Sequence, residues 1–183
     1  MSFKRSLFLA LFLFGAGLVW GLTFSIDRPG PLAGNVAELK KLSDFLLPLP
    51  QPSVFAFIFL KNAVAVLVGF ALSPFFCLVP AAALVLNGGL LGLVSISVVR
   101  EKSLGFLLAG VLPHGIFEIP ALIIGQAAAF SFGTSVMLAI FSKERRKLVL
   151  PNLKQNARYL ALSVILLLVA ALIETYVTPL LVR

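Results

Sequence analysis

The sequence predicts an all-α fold, a polytopic bundle of about five transmembrane helices whose fourth span is interrupted by proline. Of the 183 residues, 60% are hydrophobic and only 12% are charged, and the mean hydropathy is +1.08. A soluble domain carries about 25% charged residues. The apolar residues also form long runs, and about 20 apolar residues in succession cross the hydrocarbon of a bilayer as one helix. Soluble enzymes, disordered chains and disulfide-rich secreted domains are therefore excluded.

The apolar runs divide the chain into spans of a single integral membrane domain. The first run follows Lys4 and Arg5 and lacks a convincing cleavage site, so we expect a retained anchor rather than a secretory signal. Within it, Gly17 and Gly21 have the spacing that lets another helix approach closely. The predicted spans are residues 7–25, 54–72, 75–98, 104–141 and 159–177.

The longest polar connection, between the first two spans, contains a predicted amphipathic segment at residues 35–47. Asn35 and Glu38 have the spacing of a capping box, and apolar residues recur after them at helical intervals. We expect a short helix that lies in the membrane interface. A plain lid packed on the bundle is the alternative.

Charge predicts the orientation of the spans. Lys4 and Arg5 precede the first span, and residues 142–158 carry six basic residues against one acidic residue. Short loops rich in lysine and arginine face the cytoplasm, so the N-terminus and residues 142–158 are both expected inside the cell membrane. An even number of crossings then separates them, and the C-terminus is expected outside.

The fourth run, residues 104–141, is too long for one straight span and too short for two spans with a turn. Because the charge pattern requires a single crossing, we predict a short first piece up to about Leu112 that is re-entrant or steeply angled. A break at Pro113 and a longer helix to Phe141 would follow it.

The main candidate site surrounds His114 and Glu118, which are four residues apart and share one face of a helix. Pro113 and Pro120 flank them, and a proline frees the carbonyl four residues before it. An ionisable pair in a broken helix is typical of the binding elements of transporters. The same pair can instead hydrogen-bond within the bundle and lock neighbouring helices, and both interpretations stay open.

Five further polar residues within the predicted spans are weaker candidates for a ligand-binding or structural cluster. Lys61 in the second span is expected to find a partner of opposite charge or to extend its ammonium group to the interface. Asn87 in the third span is expected to hydrogen-bond to another helix. Gln126 is expected to extend the polar face that His114 and Glu118 form on the fourth span. The glutamate in the last span is expected at the outer interface. These residues are Lys61, Asn62, Asn87, Gln126 and Glu174.

The sequence predicts no catalytic site, no metal and no cofactor. A zinc site needs about three or four nitrogen, sulfur or oxygen ligands, and the chain has one histidine and one distant cysteine, Cys77. Nucleotide-binding loops and serine-hydrolase patterns are also missing from the sequence. An intramembrane hydrolase is therefore only the third interpretation.

The expected partners are lipids and membrane proteins. The net charge is +8, but the basic residues lie in loops without a nucleic-acid-binding motif, so no nucleic acid is expected. The basic residues of 143–158 are expected to bind anionic lipid headgroups, with a protein partner as the alternative. Association with other membrane proteins or with a second copy of the chain also fits this class.

These polar residues, in this order, resemble the stage II sporulation protein M family of integral membrane proteins. The most specific element is residues 114–121, His-Gly-Ile-Phe-Glu-Ile-Pro-Ala, preceded by Asn62 and by Asn87 with Gly88 and Gly92. The resemblance covers about residues 57–133, and Lys61 stands where the family commonly has a second asparagine.

The resemblance implies a multi-spanning helical protein without a known enzymatic activity. In sporulating bacteria the namesake of the family is a membrane scaffold for cell-wall-degrading partners during engulfment. The sequence therefore favours a scaffold or assembly factor for a membrane complex. The alternative is a transporter or channel for a small solute, an ion or a proton that uses the His114 and Glu118 pair.

Overall fold

The computed structural model describes residues 2–23, Lys41, Phe45 and residues 48–182. Five helices in this part of the chain are long and apolar enough to cross a membrane, which confirms the predicted fold class. The predicted amphipathic segment 35–47 lies outside the described residues, apart from the exposed Lys41 and Phe45. The helices are α1 (Phe3–Leu22), α2 (Gln51–Ala71), α3 (Leu78–Glu101), α4 (Leu104–Phe141), α5 (Lys143–Tyr176) and the short α6 (Thr178–Leu181).

Helix α4 is continuous, so the predicted break near Pro113 is wrong. Pro113 and Pro120 both lie inside the helix. A break in the helix would expose further backbone groups, and lipid has no water to bond to them. The helix therefore keeps its remaining hydrogen bonds, and side chains of neighbouring helices can bond to the groups that a proline frees. One residue after Pro120, the hydroxyl of Ser163 on α5 donates a hydrogen bond of 2.6 Å to the carbonyl oxygen of Ala121, which ties α5 to this part of α4.

An extension beyond one end of the bundle accounts for part of the length of α4. A helix of 38 residues is about 57 Å long, whereas the hydrocarbon of a bilayer is about 30 Å thick. Gly133 contacts the backbone of Ser73 in the turn between α2 and α3. Beyond this level α4 runs for about 12 Å to Phe141, and α5 returns antiparallel from Lys143. Residues 134–155 thus form a projecting helical hairpin, here called the basic hairpin.

The start of α1 and the basic hairpin lie at the same end of the bundle. The ring of Phe3 stacks on that of Tyr159, which follows the hairpin, with 3.7 Å between the ring centroids. We call this the basic end, because it also holds Lys4 and Arg5.

Helices α1 and α3 run parallel and are in direct backbone contact through glycines. A methyl group added to Gly17 would overlap the backbone of Val85, and one added to Gly21 would overlap Gly89. From the other side, Gly88 packs against the backbone of Phe14. The predicted close approach at Gly17 and Gly21 is confirmed, with α3 as the partner helix.

Helix α4 is central and contacts every other long helix. Its middle is rich in small residues, and Ala127, Ala128 and Ala129 are fully buried. Small residues are favoured where membrane helices meet, because they allow close van der Waals packing between backbones. The side chains of α4 are therefore held in a defined orientation toward α2 and α5, which matters for the polar groups it carries.

Candidate functional site

Helix α4 presents His114 and Glu118 one turn apart and facing the interior of the bundle. The imidazole Nε2 lies 3.8 Å from the carboxylate Oε2, and the two side chains are 14% and 22% exposed. This separation is longer than a hydrogen bond between the two atoms. The predicted pairing on one helix face is present, as a loose contact.

Helix α2 contributes Asn62, whose amide Nδ2 donates a hydrogen bond of 3.1 Å to Oε1 of Glu118. The neighbouring Lys61 is exposed.

The last two helices complete the site with Glu174, one of the weaker candidates, and with Thr178, which the sequence analysis did not name. One carboxylate oxygen of Glu174, which was expected at the outer interface, lies within 4.8 Å of ligand atoms of both His114 and Glu118. The hydroxyl of Thr178, the first residue of α6, lies 3.4 Å from Nδ1 of His114. Asn62, His114, Glu118, Glu174 and Thr178 are here called the polar cluster.

Asn87 lies beside the polar cluster but does not bond across helices as predicted. Its amide donates a hydrogen bond of 2.7 Å to the carbonyl of Ala83, one turn earlier in α3. With His114 and Glu118, Asn87 borders a cavity of about 110 Å³ whose other walls are mainly apolar. This volume accommodates about three water molecules.

Gln126 does not extend the polar cluster. It lies two turns further along α4, is buried, and contacts Gly69 of α2, where an added methyl would lie 2.6 Å from its Oε1. Within the described residues this Oε1 has no hydrogen-bond partner. Gln126 is therefore a separate buried polar group, and it requires glycine opposite it.

A second polar contact, which the sequence analysis missed, ties α4 to α5 near the basic end. The buried Asn156 donates hydrogen bonds of 3.2 Å to Ser131 on α4 and 2.8 Å to the carbonyl of Asn152. Asn156 lies within the segment predicted to be a cytoplasmic loop, so the sequence analysis did not predict that its side chain is buried.

The polar cluster lies in the half of the bundle remote from the basic end. Asn62 is near the middle of α2, and Glu118 is about 22 Å along α4 from Gly133, the level at which α2 and α3 turn. Polar groups at this depth are costly unless they pair, as they do here.

Thr178, His114 and Glu118 are the residue types of a hydrolase triad, but their hydrogen bonds differ from one. In a triad the hydroxyl donates its proton to the histidine. Here the hydroxyl oxygen of Thr178 lies 3.4 Å from the carbonyl oxygen of Ile173 and 3.4 Å from Nδ1 of His114. The 3.8 Å between His114 and Glu118 is also longer than the hydrogen bond that orients the histidine of a triad.

Comparison with known proteins identifies the family to which this bundle and this polar cluster belong. Residues 7–179 match stage II sporulation protein M. The chain belongs to this family. The match extends well beyond the 57–133 region, so the first and last spans, and with them Glu174 and Thr178, are part of the stage II sporulation protein M unit.

Two relatives in this comparison are uncharacterized proteins of Methanocaldococcus jannaschii. One is 31% identical over 181 residues, covering 96% of this chain and 95% of its own length. The other is 39% identical over 70 residues, covering 37% of this chain and 33% of its own. No solved structure gives a significant match to the chain.

Proposed function

We propose that this member of the stage II sporulation protein M family is a scaffold or assembly factor for a membrane complex. The observation that carries the proposal is the basic hairpin, which extends beyond the turn between α2 and α3 at one end of the bundle. This hairpin is the part of the described structure that extends furthest at the basic end, where it is accessible to a partner.

The surface of the basic hairpin combines exposed apolar side chains with positive charge. Phe141 is 88% exposed and Ile140 is 64% exposed, and Leu148 and Leu150 on α5 are exposed as well. Exposed apolar patches of this kind mark interaction surfaces. The tip is ordered by Arg146, whose Nε donates a hydrogen bond of 3.1 Å to the carbonyl of Ala139 at the end of α4.

In this proposal the hairpin lies at the headgroups of the cytoplasmic leaflet, because its charged side chains are mostly basic. The N-terminus is then cytoplasmic, and the C-terminus is outside the cell membrane. A cavity of about 330 Å³ between the arms of the hairpin is lined by Arg145, Asn152 and Gln155, among others. These donors suit the phosphate of an anionic lipid, which would fix the depth of the hairpin while its apolar side chains contact a protein partner.

The polar cluster has a structural role in this scaffold. Its side chains come from α2, α4, α5 and α6, and the Asn62–Glu118 hydrogen bond joins two of these helices directly. The resulting rigid bundle would position the hairpin for binding. In this account the protein has no enzymatic activity of its own.

The experiment is site-specific photo-crosslinking in native membranes at native expression. A photoreactive residue in place of Phe141 is compared with one in place of Phe8, which is also exposed but lies on α1 away from the hairpin. We expect a discrete adduct at position 141 only, and its mass distinguishes a second copy of this chain from another protein. The same adduct must disappear in the Leu148→Ser, Leu150→Ser variant. Identical labelling of lipid alone at both positions would contradict the proposal.

A second candidate function is transport of a small solute, an ion or a proton. The cavity of about 110 Å³ beside His114, Glu118 and Asn87 favours it, because it brings ionisable groups into contact with space for water. Flux into liposomes that contain the purified protein tests this function. Transport predicts flux that is lost in Glu118→Gln and kept in Glu144→Gln, whereas the scaffold predicts no flux in either.

A further inference from the structure

Three side chains of the polar cluster form a set of metal ligands that the sequence did not reveal. One imidazole nitrogen of His114 and one carboxylate oxygen each from Glu118 and Glu174 lie within 4.8 Å of one another. Two ligands of a tetrahedral ion at about 2.1 Å are about 3.4 Å apart, and the distance from Nε2 of His114 to Oε2 of Glu118 is 3.8 Å. Small side-chain movements would therefore close the set around one ion.

The hydrogen bonds of His114 determine which nitrogen faces the carboxylates. Because the hydroxyl of Thr178 is placed to donate to the carbonyl of Ile173, its oxygen is available to accept from Nδ1–H of His114. In the tautomer with its proton on Nδ1, Nε2 directs a lone pair toward Oε2 of Glu118. Two acceptor atoms that face each other at this distance are favourable when a cation lies between them.

The second ligand is oriented in the same way. Asn62 donates to Oε1 of Glu118 and leaves Oε2 directed at His114. A neighbouring hydrogen bond that fixes the orientation of each ligand is the usual arrangement around protein metal ions. Here Thr178 would orient His114, and Asn62 orients Glu118.

The surroundings suit a cation with an open coordination position. Carboxylate oxygens of Glu118 and Glu174 lie within 4.8 Å of each other, and two carboxylates in a partly buried site repel each other until a cation or a proton lies between them. The cavity of about 110 Å³ beside His114 and Glu118 has room for water that would complete the coordination. A mixed set of imidazole and carboxylates is typical of transition metals, whereas Mg²⁺ and Ca²⁺ take oxygen ligands.

We propose that His114, Glu118 and Glu174 bind one divalent transition-metal ion within the membrane bundle, with Thr178 and Asn62 as positioning residues. The inference does not depend on the scaffold role. A bound ion would join α4 to α5 by direct coordination and would stabilise the bundle against thermal unfolding.

The test is metal uptake by the purified full-length protein in nanodiscs after treatment with a chelator. Zn²⁺ binding is measured by calorimetry, and Co²⁺ is used as a spectroscopic substitute that reports nitrogen and oxygen coordination. We expect one ion per chain and a rise in the unfolding temperature on binding. Glu174→Gln and His114→Gln should weaken binding at least about tenfold, and Thr178→Val should weaken it by about 10- to 100-fold. Glu144→Gln, an exposed carboxylate in the basic hairpin, is the control and should bind as the wild type does.

Glu174→Gln keeps the proposal testable if a change at His114 prevents folding, because no described hydrogen bond depends on Glu174. Wild-type affinity in folded Glu174→Gln would overturn the proposal. Absence of Zn²⁺ and Co²⁺ binding by the wild-type protein would overturn it as well, and would indicate that a proton or the ammonium of Lys61 neutralises the carboxylates.

Discussion

Asn62 on α2 and Glu118 on α4 are joined by a hydrogen bond of 3.1 Å although 56 residues separate them in the chain. Seven residues after Asn62, Gly69 contacts Gln126, eight residues after Glu118, so α2 and α4 run parallel and in register. The bond therefore lies on a continuous helix interface. In a membrane such a bond contributes on average about 0.6 kcal/mol and at most about 2 kcal/mol to stability.

The glycine contact between α1 and α3 predicts that even a methyl group is not tolerated. Gly21→Ala and Gly88→Ala should each reduce stability by about 1–3 kcal/mol, because the added carbon meets backbone atoms that cannot rotate away. The measurement is the unfolding temperature in detergent, followed by circular dichroism.

Gly15 provides the matched control on the same helix. Nothing lies within 4 Å of a methyl group at this position, so Gly15→Ala should be neutral or should stabilise by up to about 1 kcal/mol. Equal losses at Gly15 and Gly21 would show that helix α1 does not pack on α3 through this face.

Binding of anionic lipid is predicted to depend on charge in the basic hairpin. Arg145→Gln with Lys147→Gln should weaken binding of phosphatidylglycerol roughly thirtyfold, since each basic residue near the surface contributes about 1 kcal/mol. The measurement is lipid retention on the purified protein by native mass spectrometry at several salt concentrations. Arg145→Lys with Lys147→Arg keeps the charge and should bind normally. Affinity that is unchanged in the glutamine variant and insensitive to salt would contradict this role.

The orientation predicts opposite accessibility of the hairpin and of α6. In a Cys77→Ser background, which removes the single cysteine, one new cysteine is placed at Glu144 or at the exposed Leu180. A membrane-impermeant thiol reagent added to intact cells should label Leu180→Cys, and it should label Glu144→Cys only after lysis. The reverse pattern would place the basic hairpin outside.

The sequence predicted the spans well because the hydrophobic runs are a local property. In lipid, a run of about 20 apolar residues is stable as a helix, because a helix forms all of its backbone hydrogen bonds within the run. The same local logic identified Gly17 and Gly21 as a contact face, and it identified His114 and Glu118 as neighbours on one side of α4. The break at Pro113 was wrong because the cost of proline in water does not transfer to a helix supported by neighbours in lipid.

The composition of the polar cluster depends on distant contacts that no local pattern contains. Glu174 reaches His114 and Glu118 because α5 runs antiparallel to α4 with a fixed offset, and Thr178 follows because α6 packs on both. The sequence analysis expected Glu174 at the outer interface and did not pair it with His114 and Glu118. The axial displacement between α4 and α5 comes from the packing of small residues between the helices, and a single sequence does not specify it.

The difference between Asn62 and Asn87 gives a further prediction. Asn62 bonds across helices, while Asn87 bonds to Ala83 within its own helix. Asn62→Ala should therefore lower stability by about 0.6–2 kcal/mol, and Asn87→Ala should change it by a smaller amount. Unfolding of both variants under one set of conditions measures the difference, and a larger loss at Asn87 would contradict the assignment.

The central claim is that the polar cluster joins the helices through direct contacts, and a double-mutant cycle on Asn62 and Glu118 tests it most directly. The free energy of unfolding is measured in nanodiscs for the wild type, Asn62→Ala, Glu118→Ala and the double variant. A coupling energy of about 0.6–2 kcal/mol between the two positions is predicted. Losses that simply add, with a coupling within about 0.3 kcal/mol of zero, would show that the two side chains do not stabilise the bundle together.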